Sequence, residues 1–166
     1  MIKKIAQRLL LLLVCYFCSG TMVYASNVLT ETAPWGSADV LDIQYKPEKV
    51  LYDMISGDKE YLIRVLDRLA YLNKLYGSDT FDASIVVVIH GEAIPFFAID
   101  KTQQHQDMMA RAQSLTVGTA IEFRMCRASA KLLHYEPENI HGFVQMVPMA
   151  DAEIIRLQAD GYSYMH

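Results

Sequence analysis

Blocks of apolar and polar positions along the chain predict strands and helices in succession. Residues 49–55 and the nearly unbroken β-branched run 83–90 predict two strands, the second covered on both faces and therefore central. Between them, apolar residues recur at spacings of three and four over 59–76, which indicates a helix buried on one side. Gly77 is placed to end this helix.

The second half of the chain repeats the alternation. Its predicted elements are a loop or short helix at 92–98, helix 102–115, strand 119–125, short helix 127–133, strand 141–147, a helix capped by Asp151 and running through 159 to Gly161, and a short strand at 162–165. Such a succession predicts a three-layer α/β/α fold of the flavodoxin- or Rossmann-like kind. We expect a mostly parallel sheet of about five strands.

The first 25 residues follow a different pattern. Three basic residues precede an apolar run, and short side chains stand at Val23 and Ala25. This order predicts a signal peptide over residues 1–25, cut after Ala25, and therefore a periplasmic or secreted protein. The alternative is an uncleaved membrane anchor, for which the run is short. Residues 26–48 show no sustained period, and we predict an N-terminal arm that packs on the domain or on a neighbouring subunit.

Export would change both the cysteine count and the charge. Cys15 and Cys18 have C-x-x-C spacing but lie in the predicted signal, so the mature chain keeps only Cys126. A single thiol is buried and inert, paired between chains, or chemically used. Without the three basic residues of the signal, 12 basic and 19 acidic residues remain, a net charge of −7. That balance argues against a nucleic-acid partner.

Polar residues follow two predicted strands at the edge where parallel sheets bind ligands. His90 and Gly91 come after the second strand, and Cys126 comes after the third, directly before a short helix whose first turn holds Arg127. Because a helix N-terminus carries partial positive charge, it stabilises a thiolate. We therefore take Cys126 as the candidate catalytic residue, with His90, Gly91 and Arg127 as substrate-cleft candidates.

This assignment requires the sulfur of Cys126 to be open to solvent. The alternative is that Cys126 is a small buried hydrophobic residue and that His90 only tethers its loop.

The order of these motifs over residues 49–166 resembles the DsrE/DsrF-like sulfur-relay family. The resemblance is carried by the strand ending in His90-Gly91, by Phe123-Arg-Met-Cys126 with Ala128 and Ala130 behind it, and by the Leu-Gln…Gly-Tyr…Tyr pattern between Val147 and Tyr164. It implies a sulfur carrier or sulfurtransferase in which Cys126 takes up a sulfane sulfur as a persulfide. The sulfur passes from a donor to an acceptor, either a protein or a small thiol. The resemblance also implies a homo-oligomer.

Two other hypotheses remain open from the sequence. The domain is either a non-catalytic binding or assembly module that uses its strand-end cleft or its arm with Trp35, or a thiol-redox sensor in which Cys126 pairs between subunits. The sequence has no nucleotide-binding glycine motif, and its remaining histidines lack ligand spacing. We predict no cofactor, no metal site and, after signal cleavage, no membrane association.

Overall fold

The structure is a computed structural model that describes residues 36–77 and 83–166. Contacts divide the chain into two units, 1–42 and 43–166. The second unit contains, in order, β1 (Lys49–Met54), α1 (Lys59–Leu75), β2 (Ser84–Ile89), 3-10 segments Gly91–Phe97 and Ile99–Lys101, α2 (Thr102–Ser114), β3 (Ile121–Cys126), α3 (Arg127–Leu132), a 3-10 turn Pro137–Asn139, β4 (Val144–Val147), α4 (Ala150–Ala159) and β5 (Ser163–Met165).

The five strands form one sheet in the order β4-β3-β2-β1-β5, with every neighbouring pair parallel. The most β-branched strand, β2, occupies the centre. Both of its faces are buried, which explains why its sequence shows no polar alternation. The predicted α/β fold with a five-stranded parallel sheet is confirmed.

Side chains of successive strand residues point to opposite faces of the sheet and build two cores. The larger core contains Met54, Ile89 and Met125 and receives side chains from α1 and α2. The smaller core contains Leu51, Val86, Val88 and Cys126 from the sheet, with Ala150 and Leu157 from α4. We call the side of the sheet that carries the smaller core the α4 face.

The boundaries of the helices follow local chemistry. The Asp58 side chain accepts a hydrogen bond from the Glu60 N–H at 2.9 Å and caps α1, and Gly77 follows the helix with a φ of +69°. The prediction that Asp151 caps the last helix is wrong. Met149 occupies the cap position without a side-chain bond, and Asp151 lies in the first turn.

The fourth strand also begins later than expected, at Val144 rather than at residue 141. The N–H of Val144 donates to the carbonyl of His141, so residues 141–144 form a turn before the strand starts.

Several predictions concern residues outside the described ones. These are the signal peptide at 1–25 with Cys15 and Cys18, and the part of the arm at 26–35 that includes Trp35. The rest of the arm, residues 36–48, contains neither helix nor strand. Within the described ranges, no helix combines the length and apolar character needed to span a bilayer.

Candidate functional site

Cys126 lies at a junction between a strand and a helix. It is the last residue of β3 and the N-cap of α3, and its Sγ accepts a hydrogen bond from the Ser129 N–H at 3.3 Å. The sequence predicts this junction, because apolar strand positions stop at residue 125 and small helix-forming residues follow. The sulfur therefore has one backbone donor directed at it.

The expectation that this sulfur is open to solvent is wrong for this conformation. Only 2% of Cys126 is exposed, and the residue belongs to the smaller core. Its strand position directs it to the α4 face, where Ala150 and Leu157 of α4 contribute to the same buried cluster.

His90 is held by a carboxylate. Its Nε2 lies 2.7 Å from Oδ1 of Asp53, near the end of β1, and both side chains are about 16% exposed. The hydroxyl of Tyr164 on β5 donates to the other oxygen, Oδ2, at 2.5 Å. This bond to Asp53, assisted by burial, raises the pKa of Tyr164 to about 12.

The sheet register places Cys126 and His90 side by side, while Asp53 and Tyr164 lie at earlier positions of β1 and β5. Ile89 pairs with Met125, so the next residues, His90 and Cys126, are neighbours at the ends of adjacent strands. His90 has an extended backbone, with φ −153° and ψ 178°, so the strand alternation continues through it. It therefore shares the α4 face with Cys126. We call Cys126, His90, Asp53 and Tyr164 the strand-end cluster.

Gly91 fulfils a backbone requirement beside this cluster. Its φ is +58°, a conformation that L side chains rarely adopt, and a Cβ built there would lie 2.9 Å from Cγ1 of Ile55. The glycine lets the chain turn sharply after His90 while the loop that follows β1 packs against it.

Comparison with known proteins adds the family and the fold. A family model described as DsrE/DsrF-like matches residues 49–166, which is most of the chain. The chain belongs to the DsrE/DsrF-like family. A solved structure of a protein of unknown function, MTH1491 from Methanobacterium thermoautotrophicum, superposes with a TM-score of 0.52 at 16% identity. That match covers 71% of this chain and 97% of the other. Comparison with curated proteins gives no match.

In this DsrE/DsrF-like protein, Arg127 faces open space. It lines a cavity of about 360 Å³ together with Lys131, Val147 and Pro148. Neither cation has an ion-pair partner among the described residues. Val147 is the register partner of Cys126, so the cavity lies next to the end of β3.

Arg124, two residues before the cysteine, is engaged elsewhere. Its guanidinium donates to Glu122 and to Glu153 of α4, each at 2.6 Å. It therefore serves to fix α4 to β3 on the face where Cys126 is buried.

Sequence reasoning found Cys126, His90, Gly91 and Arg127 but missed Asp53 and Tyr164. A signal for Asp53 was present, because it is a carboxylate at an inward-facing position of an apolar strand. Tyr164 ends the C-terminal pattern that resembles the family, but its bond to Asp53 is not visible in the sequence because the two residues are 111 positions apart. No cluster of three or more potential metal ligands occurs in the ranges 36–77 and 83–166.

Proposed function

We propose that this protein is an exported sulfur carrier of the DsrE/DsrF type that holds a sulfane sulfur as a persulfide on Cys126. The supporting observation is the position of Cys126. The residue ends a strand at the carboxyl edge of a parallel sheet, next to His90, and its Sγ accepts a backbone N–H. A backbone donor favours the negative sulfur of a thiolate or a persulfide. Family membership supports the same class of chemistry.

The proposed loading step is a displacement at sulfur. The Cys126 thiolate attacks the outer sulfur of thiosulfate, and a new S–S bond forms to Sγ. The S–S bond of thiosulfate breaks, and sulfite leaves with the electron pair. Transfer to an acceptor thiolate repeats the displacement in the other direction and regenerates the Cys126 thiolate. Neither step requires an oxidant or a reductant.

The burial of Cys126 adds a condition to this proposal. With 2% of the residue exposed, a donor in solution cannot reach Sγ in the closed conformation. Loading therefore requires the cover on the α4 face, to which Ala150 and Leu157 belong, to move. We expect alkylation of the native protein to be slower than alkylation of the same protein in urea, and an acceptor or donor protein to accelerate it.

The decisive experiment measures mass. The purified protein is incubated with thiosulfate or polysulfide and examined by intact-mass spectrometry, with Cys126→Ser as the control. We expect a gain of one sulfur that a thiol reductant removes and that the serine variant lacks. Absence of the added sulfur from the wild-type protein, with either donor, would contradict the carrier function.

The buried sulfur favours a second candidate, a non-catalytic binding or assembly module of the same fold. In that case Cys126 is a packing residue, and Cys126→Ser changes stability without changing capture of a partner. Loss of partner capture in this variant at unchanged stability would contradict the module hypothesis.

We further propose export and self-association. The predicted signal peptide supports export, and N-terminal sequencing of the protein recovered outside the cytoplasm is expected to begin at Ser26. A start at Met1 would instead support the membrane anchor. The family resemblance supports a homo-oligomer, which light scattering on the mature protein would measure.

A further inference from the structure

The hydrogen bond between His90 and Asp53 determines which ring nitrogen of the histidine carries the proton. An ionised carboxylate only accepts hydrogen bonds, so Nε2, 2.7 Å from Oδ1 of Asp53, must be the N–H. Tyr164 donates to Oδ2, so each carboxylate oxygen of Asp53 accepts one hydrogen bond. In the neutral ring this leaves Nδ1 with a free lone pair.

The residue that carries this lone pair is the register neighbour of the cysteine. His90 and Cys126 follow the register pair Ile89–Met125 and share the α4 face, and adjacent strands lie about 4.8 Å apart. On the same face, the charge nearest along β3 is that of Arg124, which is paired with Glu122 and with Glu153 of α4. The Glu92 side chain packs against Gly57. Tyr61 interacts electrostatically with Tyr164, and the ring centroids of His166 and Tyr164 are 6.2 Å apart.

We infer that Asp53 is a positioning residue that makes Nδ1 of His90 the base for the Cys126 thiol. This inference rests on the proposed carrier function and specifies its first step. The thiol proton moves from Sγ to Nδ1, which creates an imidazolium paired with the Asp53 carboxylate. The thiolate that remains then attacks the outer sulfur of the donor. Tyr164 keeps the carboxylate oriented by occupying its second oxygen.

The expected increase in the rate of persulfide formation follows from the acidity of thiols. A free cysteine is only a few per cent ionised at pH 7, so complete ionisation by a base increases the rate by at most about 30-fold. Asp53→Asn removes the ionised acceptor, and we expect the rate of persulfide formation at pH 7 to fall about tenfold. At pH 10 thiols ionise without a base, and the rates of the variant and the wild-type protein should converge.

Two variants act as comparisons. His90→Gln removes the base while keeping an amide that can bond to Asp53, and it should show the same loss at pH 7 and the same recovery at pH 10. Asp107→Asn removes an equal charge from an exposed position on α2, and its rate should equal that of the wild-type protein. Parallel rate profiles for Asp53→Asn and wild type across this pH range would overturn the inference.

A spectroscopic measurement separates this inference from the carrier function. In protein labelled with ¹⁵N-histidine, the ring of His90 should show a protonated Nε2 and an unprotonated Nδ1, and Asp53→Asn should lose this preference. If no persulfide forms but the tautomer is as described, the carrier function fails while the role of Asp53 in orienting His90 stands. A protonated Nδ1 in the neutral wild-type ring would refute that role directly.

Discussion

Cys126 and Met125 are consecutive residues of one strand, yet they belong to different cores. Met125 faces the larger core, whereas Cys126 faces the α4 face and shares it with His90 and Asp53. At this scale, strand alternation decides the neighbours of the sulfur, and a shift of one residue would exchange them. The chemistry considered for Cys126 therefore depends on the register between β2 and β3.

Gly91 allows a test of the turn that orients His90. Gly91→Ala should lower the free energy of unfolding by more than Gly118→Ala. Both glycines have positive φ, +58° and +65°, which costs an alanine about 1–2 kcal/mol. Only at Gly91 would the new Cβ meet another side chain, Ile55 at 2.9 Å. Urea denaturation measures both values.

The double variant Gly91→Ala/Ile55→Ala provides the control for this test. It removes the steric contact and leaves the backbone strain, so the added cost of Gly91→Ala should be smaller in the Ile55→Ala background. If Gly91→Ala and Gly118→Ala lower the free energy of unfolding equally in the wild-type background, the Ile55 side chain moves aside without a measurable cost and the steric account is wrong.

At the level of elements, α4 is fixed to the sheet by a network of charges. Glu153 accepts hydrogen bonds from Arg124 of β3 and from Arg156 of its own helix. These bonds, led by those from Arg156, hold the pKa of Glu153 below its usual 4.5 despite the opposing effect of burial. The same helix contributes to the core that buries Cys126, so the network holds this cover on the sheet.

The depressed pKa of Glu153 predicts a pH dependence of stability. Its stabilising contribution is complete above the ordinary pKa of 4.5 and is lost as pH falls through the lower folded value. We expect Glu153→Gln to lower the free energy of unfolding by about 1–2 kcal/mol at pH 7. The difference from wild type should shrink as the pH falls below 4.5. Glu138→Gln, at an exposed site, should have no such effect, and a difference that grows in acid would contradict this account.

The cations that line the cavity beside α3 lead us to expect that the charge of a sulfur donor affects its rate of loading. Arg127 and Lys131 line it without ion-pair partners among the described residues, so they are available to an anionic donor. Arg127→Gln should slow loading from thiosulfate roughly fivefold, the equivalent of about 1 kcal/mol. The reaction of Cys126 with an uncharged organic trisulfide, which leaves a mixed disulfide or trisulfide on Sγ and releases RSS⁻ or RS⁻, should proceed at the wild-type rate. Arg64→Gln on α1 is the matched control, and equal slowing with both donors would remove Arg127 from anion binding.

For the whole molecule, the pattern of the sequence was sufficient to predict the elements and the parallel sheet. Continuous β-branched runs, apolar residues at helical spacing and glycines that end helices are local signals. Each of them predicts the structure of the segment in which it occurs. The burial of Cys126 is not a local property, because it depends on where α4 packs. The pairing of Asp53 with Tyr164 likewise depends on β5 adding to the edge of β1.

The burial of Cys126 predicts the response of the whole molecule to oxidation. Mild oxidation should leave native protein as one band on a non-reducing gel, because Cys126 is too buried to meet a second copy. With protein produced from Ser26 onward, the same treatment in urea should produce a disulfide-linked dimer, which Cys126→Ser cannot form. A dimer from native protein would instead support the redox-sensor hypothesis.

The two shortest strands, β4 and β5, form the opposite edges of the sheet, and α4 connects them. The helix that covers the α4 face is therefore synthesised after β1, β2, β3 and β4. Until it emerges, no other helix of the described residues contributes to the core around Leu51, Val86, Val88 and Cys126. We expect nascent chains stalled with residues after Met149 still in the exit tunnel to react with an alkylating reagent that the finished protein excludes. Cys126 is thus most accessible during the part of synthesis that precedes the folding of α4 onto the sheet.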